Sequence, residues 1–471
     1  MTTTPASAYG LAMRGDRAEI AASLAGASTV PYWLDGLRPD ARPALRESLT
    51  ADLVVVGGGF CGLWTALIAK ERDPAQRVVL LEGKRIAWAA SGRNGGFVEA
   101  SLTHGEENGK LHFAAELEAI EELARENYAA FRDTLERYGI DAEFEETGTL
   151  VVATEPHQVE ALRKEGVDLL EGEALAAVTS SPVVRAAFFE REGNALVHPA
   201  KLAFGLRDAC LSLGVEIYED TPVTGISDAG SEVTVSTPVA RIRARRVALA
   251  TNGFPSLLRR NTLRTVPIYD YVLMTEPLSD EQLESIGWVE RHGMTDMSRQ
   301  FHYYRKTADN RILWGGYDAV YHRGRRIRPE HDQRQETFER LADHFFLAHP
   351  TLRGIRFTHA WGGMIDMSTK LVAFQGTALD GKVAYSAGYT GLGVAATRFG
   401  AEVMLDLLSG EQTARTRLDF ATAKPFPVPP EPIAYPAIQL MRAAVARSDE
   451  NGGKDGLLIK TAGLFGISFD S

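Results

Sequence analysis

VVVGGGFCG (54–62), followed by VVLLE (78–82), decides how this chain is read. Gly57, Gly59 and Gly62 stand at G-x-G-x-x-G spacing, with Gly58 between them, after a β-branched run and before the helix-forming stretch GLWTALIAKER. The unit predicts a strand, a tight turn, a helix and a second strand. In it Gly57 permits the turn, Gly59 admits a pyrophosphate to backbone N–H groups, and Gly62 lets helix and strand pack closely. The exposed N–H groups and the positive end of the helix then hold phosphate charge. Glu82 closes the second strand, where a carboxylate accepts hydrogen bonds from a ribose diol. The motif implies a dinucleotide and leaves NAD(P) and FAD both open.

A chain of 471 residues suggests two domains or three. A formal charge of -11, from 62 acids and 51 bases, argues against a nucleic-acid surface. The two cysteines, Cys61 and Cys210, make neither a metal site nor a disulfide framework, and Cys61 inside the glycine motif reads as a small buried residue. The apolar stretch from Leu53 to Ala69 is too short and too glycine-rich for a membrane span. The first twenty residues lack a basic segment followed by an apolar one, so the expected location is the cytoplasm.

Residues 1–50 read as an N-terminal arm, and 421–471 as a Pro-rich and then amphipathic tail packed on the body. Between them the expected division is a discontinuous nucleotide domain, 51–105, 196–265 and 366–420, interleaved with a substrate domain, 106–195 and 266–365. Apolar positions from Leu117 to Tyr138 recur at helical spacing. TVPIYDYVLMTE, FHYYRKT and RILWGGYD carry aromatic alternation and predict an antiparallel sheet in the substrate domain.

Three features favour FAD over NAD(P). SGRNGG (91–96) is a polar glycine loop soon after Glu82. Its Ser91, Gly92, Asn94, Gly95 and Gly96 allow close backbone approach, and Arg93 offers a fixed cation to a pyrophosphate or ribityl chain. VALATNG puts another strand and turn late in the chain. GYTGLGVAATRFG opens a helix at a glycine turn, whose positive end suits the charge of a reduced flavin.

The ordered segments DLVVVGGGFCGL, LLEGKRIAWAASGRNGGF, HPAKLAFGLRDAC, VALATNG, YYRKTADNRILWGG, WGGMID and YSAGYTGLGVAATRFGAEV resemble the D-amino-acid-oxidase-like FAD oxidoreductases, and among them the gamma-glutamylputrescine oxidoreductase branch. The likeness runs from about Tyr32 to Leu408. It implies an α/β (α+β) fold, a glutathione-reductase-type, Rossmann-like FAD-binding domain interleaved with an antiparallel-sheet substrate domain that roofs the flavin. It also implies that Gly57, Gly58, Gly59, Gly62 and Glu82 hold the ADP half, that 91–96 approach pyrophosphate and flavin, that Val223 presents backbone to adenine, and that Gly388, Gly391, Leu392 and Gly393 line the pyrimidine end.

Arg305 falls where glycine oxidases of this family carry an arginine that clamps the substrate carboxylate, a bidentate task suited to a guanidinium. A surface arginine on a hairpin is the alternative. Tyr303, Tyr304 and His302 crowd the same strand, and Tyr303, Trp361 and Tyr389 are expected to supply a dry apolar lid over the flavin; Tyr389 also reads either as a substrate hydrogen-bonder or as a buried structural tyrosine. His104, after the flavin loop, lines the active site or is structural; His198 reads as a strand-to-helix joint. Two departures from the family matter. No histidine or cysteine stands where covalent members attach flavin, which implies non-covalent FAD. The strand ILWGGYD also lacks the lysine that assists oxygen in sarcosine-oxidase-like members. The expected reaction is hydride transfer from the carbon beside an amine to flavin N5, giving an imine that hydrolyses to a carbonyl product. Its partners are a small amine, with or without a carboxylate, and oxygen or another electron acceptor. A glycine- or sarcosine-type amino acid oxidase, or a flavin dehydrogenase with little oxygen reactivity, are the alternatives.

Overall fold

Leu53 to Val56 are buried in the strand Leu49–Val56, at the middle of an eight-stranded sheet. A strand covered on both faces by other layers reads as a continuous β-branched run. The computed structural model describes residues 7–37 and 39–464. Across the sheet the order is Phe374–Ala378, Val383–Ala387, Arg241–Leu249, Leu49–Val56, Val78–Leu81 and Glu216–Tyr218. The last five run parallel and the first pairs antiparallel. The hairpin Gly225–Ala229 and Glu232–Ser236 joins on Arg241–Leu249. Helix Phe60–Arg72 lies almost entirely inside the molecule, flanked by Pro199–Ser212 and Gly393–Ser409.

A second eight-stranded sheet forms the roof. Its order is Val320–Tyr321, Thr265–Thr275, Ile312–Gly316, His302–Lys306, Gly293–Asp296, Thr149–Ala153 and Ala186–Glu190, with Phe357–Ser368 paired along the whole of Thr265–Thr275. One face packs on helix Gln335–Ala348; the other meets the nucleotide sheet through a seam of Trp33, Ala200, Val272, Met274, Leu313 and Trp361.

The structure corrects three expectations of organisation. The helix Leu117–Arg137 belongs with the nucleotide layer, because Ile120, Leu123, Tyr128 and Phe131 bury into the core around Trp64 rather than into the roof. The arm is no free lead-in: Tyr9, Ile20 and Leu24 are buried in the roof core, and Trp33 is buried in the seam. The roof strand Phe357–Ser368 continues past 365, so Asp366 stands on a roof strand. The tail helix Ala434–Glu450 buries Val445 and Ala446 and holds Arg299 and Gln300 through Asp449, in line with a packed tail. Among the described residues no helix is long and apolar enough to cross a membrane.

Candidate functional site

The first turn is shaped by backbone. Gly57 has φ +112°, and a Cβ there would stand 2.3 Å from the carbonyl oxygen of Ala250; at Gly62 it would stand 1.8 Å from that of Gly57. No side chain larger than hydrogen fits either position. Helix Phe60–Arg72 opens at Gly59 without a side-chain cap from it, leaving the positive helix end presented. Ser91 Oγ reaches in and accepts from Phe60 N at 2.9 Å, tying the loop 91–96 to this turn. Glu82 is buried and locks the region. Its Oε2 accepts from Gly58 N (2.7 Å), and its Oε1 from Lys84 N (2.7 Å) and Trp88 Nε1 (2.9 Å). Burial raises its pKa, opposed by those donors. Thr221 N donates to Glu82 O at 2.8 Å, and Val223 packs, partly buried, on the core that holds Val79 and Leu81.

The second turn, 388–393, pairs Gly388 (φ +82°) and Gly391 (φ +97°) with Thr390 (φ +52°), and after Leu392 helix Gly393–Ser409 begins. Around Gly391 a Cβ would meet nothing within 4 Å, so this turn faces open space. Asp366 holds it from the roof. Its carboxylate accepts from Gly388 N and, at 3.1 Å, from Tyr389 N, and burial pushes it up to about 7. His104, itself at φ +53°, donates from Nε2 to Thr390 O at 2.7 Å; burial lowers its pKa and favours the neutral ring. It therefore braces the turn. Tyr389 points away from the open side. Its hydroxyl lies 2.5 Å from Ser386 Oγ and 3.3 Å from Cys61 Sγ, inside the nucleotide core. The Tyr389 hydroxyl is thus engaged within the core, with Ser386 and Cys61 as its partners.

The loop 91–96 is pinned by two buried indoles. Trp33 Nε1 donates to Asn94 O at 2.8 Å, and Trp361 Nε1 to Arg93 O at 2.9 Å. Within the loop Asn94 bonds Ala90 O (3.0 Å) and takes Gly96 N (2.9 Å). The Arg93 guanidinium holds Trp88 O (2.8 Å) in its own segment and, toward the roof, Asp332 (2.7 Å) and Gly362 O (3.0 Å). It is a brace between the layers here, and its cation is directed to Asp332 instead of being held open for a phosphate. Gly92 is buried, and Gly95 lies under the Tyr303 ring.

On the roof strand His302–Lys306, Tyr303 and Arg305 share the face toward this loop. Tyr303 donates to Asp270 Oδ2 at 2.5 Å. Arg305 is fully buried: Nη1 donates to Val197 O at 2.6 Å, the guanidinium lies 5.4 Å from the Trp33 ring, and Nε and Nη2 have no partner. Burial lowers it to about 10. The surface-hairpin reading of Arg305 is excluded, and the carboxylate clamp meets a guanidinium sealed behind Gly96. His198 caps helix Pro199–Ser212 through Nδ1, as expected of a joint. Sequence reasoning assigned no role to Asp366, Trp33 or Asp270, and took Trp361 as part of an apolar lid without its hydrogen bond to Arg93 O. The signal for both acids was a lone carboxylate inside an apolar strand, IYDYV and MIDM.

The donor set fits FAD. Two glycine turns each open a helix, one beside a buried acid that ends a strand, and the loop between them is held by its own carbonyls with its backbone close at hand. Among the described residues no cluster suits a metal ion.

The model of the family described as FAD dependent oxidoreductase matches residues 52–407. The gamma-glutamylputrescine oxidoreductase of Escherichia coli (strain K12) is 30% identical over 402 residues, 82% of this chain and 89% of that protein. The sarcosine oxidase subunit beta of Rhodobacter capsulatus is 24% identical over 340 residues, 67% of this chain and 75% of that one. The solved glycine oxidase of Geobacillus kaustophilus superposes with a TM-score of 0.64 at 18% identity, covering 79% of this chain and 98% of that chain, a likeness of fold.

Proposed function

The chain belongs to the FAD dependent oxidoreductase family, and from that premise we propose that it oxidises a C–N bond of an amine or amino-acid-like substrate, with FAD held non-covalently. The observation that carries this reading is the loop 91–96, pinned by Trp33 and Trp361 between two glycine turns and an apolar roof. When bound, FAD supplies the acceptor for the hydride on the carbon beside the amine nitrogen. The residues of this chain do the rest. The turns 57–62 and 388–393 would offer the cofactor helix ends and close backbone approach, and Glu82, at the end of its strand, would accept from the ribose. Val272, Met274, Leu313 and Trp361 keep water from the reacting face, where orientation in a dry site is the main demand. The substrate loses hydride from carbon and a proton from nitrogen; water then adds to the imine, giving a carbonyl compound and ammonia or an amine.

Non-covalent binding is supported by the thiols. Cys61 is buried against Tyr389 and pushed up to about 12, and Cys210 Sγ donates to Leu63 O at 3.4 Å. These unpaired thiols also suit a cytoplasmic location. A reading as a dehydrogenase slow with oxygen is favoured by one observation. The strand Ile312–Gly316 carries no lysine, and the Nζ of nearby Lys306 is tied to Trp288 O and Val289 O. The test is anaerobic mixing of the yellow protein with a panel of amines and amino acids. Bleaching of flavin absorbance is expected, with FAD left in the supernatant after acid precipitation. No bleaching with any member overturns the C–N reading, flavin in the pellet overturns non-covalent binding, and the rate of reoxidation by air separates oxidase from dehydrogenase.

A further inference from the structure

The roof face over the loop 91–96 holds two charged groups, and they differ in access. Strand alternation along Thr265–Thr275 sends Tyr269, Tyr271 and Leu273 into the far core and Val272 and Met274 into the seam, so Asp270 belongs to the seam face. Arg305 on that face is sealed, whereas Asp270 is only partly buried. Its neighbours leave room. The residue paired with it on Phe357–Ser368 is Gly363, where a Cβ would touch only Arg93 Cβ, at 3.6 Å. On the other side Tyr303 reaches across Gly315, flat against it, to bond one carboxylate oxygen.

Among the described residues no lysine or arginine pairs with Asp270. Arg93 is committed to Asp332, Arg334 to Asp318, and Arg305 to Val197 O. A largely desolvated carboxylate without a counter-ion is costly, and a cation arriving with the substrate removes that cost. Burial pushes this carboxyl up to about 6, opposed by the Tyr303 bond, with Asp318 adding to the negative potential; an ammonium reverses that shift.

We propose that Asp270, oriented by Tyr303, anchors a second, protonated amino group of the substrate, so that the preferred substrates carry a cationic amine in addition to the amine that is oxidised. This inference rests on the C–N oxidation reading and narrows its substrate class. The two nitrogens have separate needs: the one losing hydride reacts uncharged, whereas a carboxylate stabilises the protonated form of any amine beside it. Asp270 therefore suits the far nitrogen. The Tyr303 hydroxyl, as donor, keeps the carboxylate an acceptor.

The test compares putrescine, cadaverine and hexamethylenediamine, each with the monoamine that has a methyl in place of the far ammonium (pentylamine, hexylamine, heptylamine). Turnover is read by flavin reduction, and binding by perturbation of the flavin spectrum. The native protein is expected to favour at least one diamine over its partner tenfold or more in kcat/KM, carried by KM. Asp270→Asn is expected to reduce that ratio to near one, and Tyr303→Phe to lower it partly. A native protein that prefers the monoamines, a ratio that survives Asp270→Asn, or a kcat that falls equally for both members of each pair overturns the anchor; the last result makes Asp270 a proton acceptor instead. Oxidation of both sets without discrimination removes the anchor and keeps the C–N reading. Asp270-dependent binding of diamines without any turnover does the reverse, and neither binding nor turnover overturns both.

Discussion

The turn 57–62 and the roof strand His302–Lys306 face the same space and are built on opposite terms. The turn works by leaving side chains out: what it presents is N–H groups and a helix end, and its shape is fixed by contacts such as Gly62 against the Gly57 carbonyl. The roof works by side chains that reach across strands, Tyr303 over Gly315 to Asp270 and Arg305 back to Val197. A backbone device tolerates no added atom, while a side-chain device tolerates exchange as long as volume and hydrogen bonds are restored.

Gly62→Ala is the harshest probe of that contrast. The added methyl meets a backbone oxygen that cannot rotate away, so strand and helix must separate, at a cost of about 3 kcal/mol or more. Thermal unfolding and bound flavin should fall together. An alanine variant with native Tm and full flavin would mean that the turn can relax, and the contrast with the roof would fail.

Arg305→Ala probes the roof side. It removes the donor to Val197 O and leaves a gap beside Trp33, which should lower stability by about 1–3 kcal/mol. Arg305→Met should recover most of the loss, since it refills the volume and carries none of the unpartnered nitrogens, Nε and Nη2, of the native side chain. Urea unfolding of the three proteins measures both effects. A raised KM for carboxylate-bearing substrates with unchanged stability would instead return Arg305 to the carboxylate clamp.

The same contrast explains what the sequence disclosed. Gly57, Gly59, Gly62 and Glu82 are read from spacing because one strand–turn–helix–strand unit carries them, and the loop 91–96 and the turn at 388 from their local glycines, although Ala250, Trp33, Trp361 and Asp366, which fix these turns, lie far off in sequence. Tyr389 and Arg305 were identified as residues of note, but their directions were not legible. Tyr389 turns inward to Cys61, 328 positions away in sequence, and Arg305 to Val197, 108 positions away. Trp33 was missed because it acts from an arm that looks unstructured in isolation, and Asp270 because only the pairing of three strands brings Tyr303 to it.

Asp366 sits on the border between the two devices, and its effect is read as a slope against pH. It stands on a roof strand and grips a backbone turn, through Gly388 N and Tyr389 N. Two forces act on its carboxyl: burial, which favours the protonated form, and those N–H donors, which favour the ionised one. Burial is the larger, and the folded group is held at about 7. In the unfolded chain an aspartate titrates near ~3.9. Between these values the folded protein keeps a proton that the unfolded chain has released, so this group makes stability fall as pH rises from about 4 to 7, and the loss ends above 7. Other buried acids, Glu99 among them, slope the same way, so the native curve alone does not isolate it. Asp366→Asn cannot titrate and keeps one oxygen for the turn. The difference in unfolding free energy, native minus variant, should therefore decline by up to about 1.4 kcal/mol per pH unit across that window and then level. A difference that rises with pH would show the N–H donors outweighing burial. Asp366 would then be an ionised anchor of the turn, and the roof would hold the backbone device by charge.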